Sequence, residues 1–211
     1  MDRLAERICM SCLGVLVCSI SVGMFRTAAL GVDPFQAFMG GLNVCFPISF
    51  GTLYLIANAL LLLFSLVLDR HKIGLATVIN LTLFGYAAEF AQKLCTSLLP
   101  GLDLLERLVL AAVAVVVMCF GSALYFNADL GVSTYDAVSL IISEKQNKVR
   151  FKFCRIISDI ICVSLGTALC LGGGGSWNDV LALVGIGTII TAFFMGPLIT
   201  FFSKRLPLSR Q

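Results

Sequence analysis

The sequence predicts an all-α, polytopic membrane protein. It would have six transmembrane helices in two inverted three-helix repeats, each with a short interfacial or re-entrant helix after its first span. Three observations predict this. The chain of 211 residues is 59% hydrophobic and 13% charged, with a mean hydropathy of +0.99, whereas soluble domains are roughly 45–50% apolar and about 25% charged. Six apolar runs reach the roughly 20 residues that a helical crossing needs. The stretch Leu30-Gly31-Val32-Asp33-Pro34-Phe35-Gln36-Ala37 returns 100 positions later as Leu130-Gly131-Val132-Ser133-Thr134-Tyr135-Asp136-Ala137.

The runs lie at about 8–30, 50–69, 73–96, 105–128, 153–172 and 179–203. Arg3 and Arg7 precede the first run, but no small-residue cleavage site follows, so it is a retained helix and not a signal peptide. After the first and fourth runs come apolar pieces at about 34–44 and 134–145, too short to cross. Gly31 and Gly131 suit the left-handed position that ends a helix. Asp33-Pro34 then reads as N-cap and first helical residue. Ser133 with Asp136 reads as a capping-box variant. Asp136, Ser139 and Ser143 make a polar face on the second short helix, opposite Val138, Ile141 and Ile142.

A second correspondence supports a duplication. Gly74, Thr77, Ile79, Gly85 and Phe90 reappear as Gly185, Thr188, Ile190, Gly196 and Phe201 at an offset of 111. The chain is therefore one membrane domain, residues 1–211, with repeats at about 8–96 and 105–203. Extra residues in the second half absorb the change of offset. Thr77, Asn80, Thr188, Gly85, Gly187 and Gly196 read as close helix packing.

Charge sets the expected orientation. With six crossings, the side holding both termini collects twelve Lys and Arg, and the other side holds Arg26, Lys93 and Arg107. By the positive-inside rule both termini are cytoplasmic. The net charge of +3 is thus positional, with no nucleic-acid partner implied. Three crossings per repeat invert the second copy, so the first Leu-Gly-Val motif faces outward and the second faces the cytoplasm. Inverted repeats with interrupted segments at matching places are a plan of secondary transporters.

Ionisable groups within spans are costly and tend to face a bundle interior or a watery path. The candidate substrate-binding residues are Asn58, Asp159, Asp33, Asp136, Phe35, Tyr135, Asn127 and Glu89, with Gly31, Pro34, Gly131 and Ser133 as motif or hinge residues. Asp159 leads, against a structural pairing with Arg155 one turn earlier. Asn58 sits at nearly the equivalent depth in the second span and doubles as an interhelical hydrogen-bonding residue. Glu89 is placed to pair with Lys93. The starts of the short helices offer free N–H groups to a polar ligand. Phe35 and Tyr135 are gate, stacking or packing residues. No catalytic residue, metal site or cofactor is expected: the one histidine, His71, lies in a basic turn, and no phosphate-binding loop or nucleophile–base pair is present. Cys9-x-x-Cys12 has metal-site spacing without companions and reads as packing. A Cys45–Cys95 disulfide near the outer surface stays open.

At Leu30 to Ala37 and Leu130 to Ala137, with Gly185-x-Gly187-Thr188 and Gly196-Pro197, the chain resembles the YczE/YitT family of small bacterial integral membrane proteins. YitT-type members carry a soluble C-terminal domain, and this sequence stops at Gln211, so it is more similar to the short YczE branch. The resemblance implies a bacterial inner (cytoplasmic) membrane location and names no substrate.

The expected function is a permease for a small polar molecule, working by alternating access, with the bilayer and a coupling ion as partners. Two alternatives stand beside it. One is an accessory membrane protein assisting another complex. The other is a substrate-binding subunit of an importer with partner ATPase subunits. A homo-oligomer is compatible with all three. The topology is testable on its own: cysteine labelling in the turns that lead into the short helices, near positions 35 and 135, should report opposite sides of the membrane, and labelling of both from the same side sinks the inverted arrangement.

Overall fold

The computed structural model describes residues 2–68, 73–131, 133–145 and 151–206; a few side chains within these ranges, Asp136 among them, lie outside the description. Among the described residues the chain is helical without strands. The helices are α1 (Asp2–Ala28), α2 (Pro34–Cys45), α3 (Phe50–Leu68), α4 (Leu75–Leu98), α5 (Leu104–Asn127), α6 (Thr134–Lys145), α7 (Phe151–Gly172), α8 (Trp177–Leu183) and α9 (Ile186–Ser203). The two short helices fall where the sequence places them.

Five helical segments are long and apolar enough to cross a membrane: Leu4–Ala28, Phe50–Leu68, Leu104–Asn127, Phe153–Gly172 and Trp177–Ser203. Their outward faces carry large bare apolar side chains such as Leu63, Val109, Ile160 and Phe193. Water would penalise so much exposed apolar surface, and lipid does not. The sixth expected run, 73–96, coincides with α4, which is not among the five. Its polar residues turn inward: Thr77 and Asn80 are buried, and Asn80 accepts a hydrogen bond from Tyr54. The last expected span, 179–203, is not one continuous helix. The short α8, capped by Ser176 and Asp179, ends at Val184, and α9 starts afresh at Gly185.

α1 packs against α4 and α5, α3 against α4 and α6, α2 against α7, and α5 against α9. Small residues make the α1 contacts close. A Cβ on Gly14 would lie 2.7 Å from the Tyr125 backbone nitrogen, and one on Gly23 would lie 2.6 Å from that of Gln92. Gly14 faces Tyr125, while the Ser21 hydroxyl donates to the Ala114 carbonyl at 2.7 Å, so α1 and α5 run antiparallel. The Cys18 thiol donates to the Met118 carbonyl at 3.8 Å, where the two helices cross at matching positions.

The ends of α1 and α5 are closed alike. Ala29 and Asp129 are left-handed, with φ of 50° and 48°, and Gly31 and Gly131 follow at 101° and 111°. Each end offers carbonyls that helix geometry leaves unbonded. Arg107 Nε and Nη2 donate to the Ala28 and Ala29 carbonyls at 2.6 and 2.7 Å. Arg7 Nε donates to the Ala128 carbonyl at 2.7 Å, and its Nη2 to the Asp129 carbonyl. Each Leu-Gly turn then seats on the start of a long helix from the other half of the sequence. Gly187 N–H donates to the Leu30 carbonyl at 2.8 Å, and Ala76 N–H to the Leu130 carbonyl at 3.1 Å.

Gly85 and Gly187 lie in close packing, as expected, with backbone or side-chain atoms inside 3 Å of a built Cβ. Gly196 differs: a Cβ there meets nothing within 4 Å, because the residue faces outward from α9. The nine cysteines are free, and the Cys45 thiol donates to the Leu169 carbonyl at 3.1 Å instead of meeting Cys95.

This contrast gives a stability test in detergent. Gly14→Val should destabilise by about 1–3 kcal/mol, because the obstructing atoms are backbone and cannot yield. Gly196→Ala should stabilise by roughly 0.5–1 kcal/mol through the entropy of an open helical position. Thermal unfolding followed by circular dichroism reads both.

Candidate functional site

Asp33 caps α2. Its Oδ1 accepts from the Phe35 and Gln36 N–H groups, both at 3.1 Å, and Pro34 follows at the first helical position, as the sequence implies. Burial is the main influence on the Asp33 carboxyl and raises it to about 6. The two N–H donors and the nearby Arg155 work downward against this, and the Asp159 charge works upward with it. The cap therefore lies within electrostatic reach of the fifth expected span.

The two motif copies meet at their aromatic residues. The Phe35 and Tyr135 rings stack with centroids 4.8 Å apart and planes 24° from parallel. Tyr54 meets the edge of Phe35 at 5.9 Å and stacks on Phe84 at 5.0 Å. The Tyr135 hydroxyl donates to Asp159 Oδ1 at 2.7 Å. Arg155 Nε lies 3.3 Å from the same oxygen, and its guanidinium sits 4.5 Å above the Tyr135 ring. The structural pairing of Asp159 with Arg155 is present, and Tyr135 shares the same carboxylate oxygen. Cys162 lies close enough to Tyr135 and Asp159 to feel both.

Asn58 is fully buried, and the hydroxyl of Thr134 donates to its Oδ1. Its Nδ2 donates to the Tyr54 carbonyl at 2.9 Å. The pair ties the third helix to the start of α6. Two more polar atoms of this interior have no hydrogen-bond partner, Gln36 Oε1 on α2 and Tyr125 Oη on α5. Buried polar groups are nearly always bonded, so orphans at a bundle centre are acceptors and donors available to a guest.

The structure thus brings Asp33, Phe35, Asn58, Tyr135 and Asp159 into one interior cluster. Glu89 lies elsewhere, in a cleft at the other end of α4, accepting from Lys93 Nζ at 2.8 Å and from Gly51 N–H at 3.0 Å. Asn127 also lies apart, its Nδ2 donating to the Ser203 carbonyl at 3.0 Å and tying α5 to the end of α9. Gly31, Gly131, Pro34 and Ser133 belong to the turns that deliver the cluster, and the side chain of Asp136 is outside the described residues. Among the described residues no group of three His, Cys, Asp or Glu is placed to hold a metal ion.

Four residues of this frame and cluster escaped the sequence reading in their structural roles: Arg7, Arg107, Tyr54 and Thr134. The two arginines carry the same offset of 100 as the motif, a signal obscured because they were counted only as loop charges. Tyr54 and Thr134 carry no such signal.

Bare apolar flanks, helices interrupted by capped turns and a polar interior define a helical integral membrane protein. The chain belongs to a family of unknown function, DUF6198, whose model matches residues 5–204. Relatives at low identity include the uncharacterized protein YyaS of Bacillus subtilis, 23% identical over 90% of this chain and 89% of its own length. The uncharacterized membrane protein YczE of the same organism is 24% identical over 89% of this chain and 81% of its own. An uncharacterized protein of Haemophilus influenzae is 24% identical over 90% and 82%. These bear out the resemblance to the YczE-like family. No solved structure matches.

The Asn58–Thr134 contact predicts a coupled pair. Asn58→Ala leaves a buried hydroxyl without its acceptor and should cost about 1–3 kcal/mol. Thr134→Val should cost a similar amount, and the double variant less than the sum, by roughly 0.5–3 kcal/mol. A double-mutant cycle on thermal stability measures the difference.

Proposed function

We propose that this protein is a permease of the cytoplasmic membrane that carries a small polar molecule by alternating access. In this reading it has two inverted three-helix repeats, 8–96 and 105–203, with both termini in the cytoplasm. The observation that carries the reading is the interior cluster itself: equivalent residues of the two motif copies, Phe35 and Tyr135, stack beside Asp33, Asp159 and Arg155. Ionisable groups within a membrane bundle are costly to hold and commonly mark a substrate or ion path, which supports a binding role for this cluster.

Several contacts support the inverted arrangement. Arg7 and Arg107 close opposite helix ends in the same way, the turns at Leu30 and Leu130 seat on Gly187 and Ala76, and Cys18 meets Met118 where the repeat offset is 100. A pseudo-two-fold axis through that last contact relates all of them. α4 then serves as the sixth crossing, its polar groups satisfied within the bundle. Rocking of one half on the other about the α1–α5 contact would part the stacked rings from either side in turn. No catalytic chemistry, metal or cofactor enters this reading. The charge asymmetry of the loops supports the orientation.

The test is a thermal-shift screen of purified protein against vitamins, nucleobases, amino acids and organic cations. A true substrate at ~100 times its dissociation constant stabilises the fold by about 2.7 kcal/mol. Asp159→Asn should weaken the hit, and the hit should then show counterflow in proteoliposomes. No saturable hit, or a hit that does not exchange across vesicles, rejects the permease in favour of an accessory membrane role.

A further inference from the structure

A cleft of about 560 Å³ opens between the end of α1, the start of α3 and the second half of α4. A second cleft adjoins it and shares Arg26, Asn43 and Gln92, reaching Val32 and Leu183. Val32 is the neighbour of Asp33, so the second cleft ends one residue from the cap of α2. The proposed orientation puts it on the outer face.

Arg26 lies at the junction of both clefts. Its guanidinium carbon sits 3.9 Å from the centre of the Phe50 ring, so one face is covered. Its Nη1 is buried and has no hydrogen-bond partner. Glu89 lies near enough to attract it, but the Glu89 oxygens are already taken by Lys93 Nζ and Gly51 N–H. The Asp179 carboxylate, on the rim of the second cleft, accepts from the Ser176 N–H and hydroxyl at its Oδ2. A guanidinium with a buried nitrogen left unbonded is costly to hold without an anion. The repeat frame does not require it either: the position 100 residues on, in the second half, is Phe126. The arginine therefore serves the one mouth and not the fold.

We propose that the outer cleft is an anion-recognition site, in which Arg26 binds the carboxylate of a small organic solute. Gln92 supplies a neighbouring amide, Asn43 lines the same cleft with its Nδ2 donating to the Ile48 carbonyl at 3.0 Å, and Lys93 adds positive charge at the rim. The planar fork of arginine matches a carboxylate in a way a point charge does not. This deepens the permease reading by giving its substrate class an acidic group, and it rests on that reading only for what the bound anion is for. Binding itself is measured without transport.

The experiment is modification of the folded wild-type protein in detergent by phenylglyoxal, with the extent at Arg26 read by peptide mass spectrometry. Acetate, benzoate, L-glutamate, inorganic phosphate and phosphatidylglycerol micelles are the probes. The expected result is saturable protection of Arg26 by one or more of the carboxylates. The protecting probe should also raise the unfolding temperature of the wild type, bind about 10- to 100-fold more weakly to Arg26→Gln, and bind with intermediate strength to Arg26→Lys. Protection by phosphate or phosphatidylglycerol alone overturns the carboxylate assignment, the latter in favour of a lipid headgroup. No protection by any probe overturns the site. Protection here alongside a failed counterflow assay would retire the permease and leave the anion site standing.

Discussion

The arrangement depends on backbone meeting backbone at two crossed turns. The carbonyls of Leu30 and Leu130 accept from amides at the starts of α9 and α4, with Gly31 facing Gly185 and Gly131 facing Gly74. A Cβ on any of these glycines would lie within 2.6 Å of a backbone atom across the contact, and one on Gly74 within 1.9 Å of the Leu130 oxygen. Glycine on both sides is thus the condition for the contact. The contact in turn satisfies backbone groups that would otherwise be unbonded within a membrane, where no water replaces them. Arg7 and Arg107 extend the same solution to the carbonyls that end α5 and α1.

With the turns held this way, α2 and α6 have little freedom. Each follows one of these turns, α2 behind the Asp33 cap, and runs back into the bundle, α2 along α7 and α6 along α3. Their first aromatic residues are thereby directed at one another, and the stacked Phe35 and Tyr135 become the centre of the molecule. The polar residues around them come from several elements: Asn58 from α3, Asp159 and Arg155 from α7, and Asp33 from the turn before α2. Closing one contact without disturbing the others is therefore difficult, and a rearrangement would have to move helices as bodies. Packed interiors change between discrete arrangements in this way and do not deform gradually.

The surroundings of the two motif copies differ. α8 is an insertion before α9 with no described counterpart before α4, and it supplies Ala182 and Leu183, whose carbonyls accept from Gly31 and Val32. Asn58 and Asp159 occupy nearly equivalent depths but have different partners, Thr134 for one and Tyr135 with Arg155 for the other. Arg26 faces its cleft where the second half has Phe126.

The sequence by itself determined the helical membrane class, the boundaries of both short helices within a residue or so, the glycine turns and the Asp33 cap, and it offered the pairings of Asp159 with Arg155 and Glu89 with Lys93 as alternatives that the structure contains. These follow from local spacing: apolar run length, helix punctuation and neighbours three to four residues apart. It could not tell that Glu89 and Asn127 lie away from the cluster that holds Asp33 and Asp159, that the last span breaks at Gly185, or that Gly196 touches nothing. Depth along a helix is written in the chain, but rotation about its axis and the partner across the gap are not. Those were decided by tertiary packing, because a short polar side chain in an apolar interior is positioned by whichever helix brings its complement within hydrogen-bond reach.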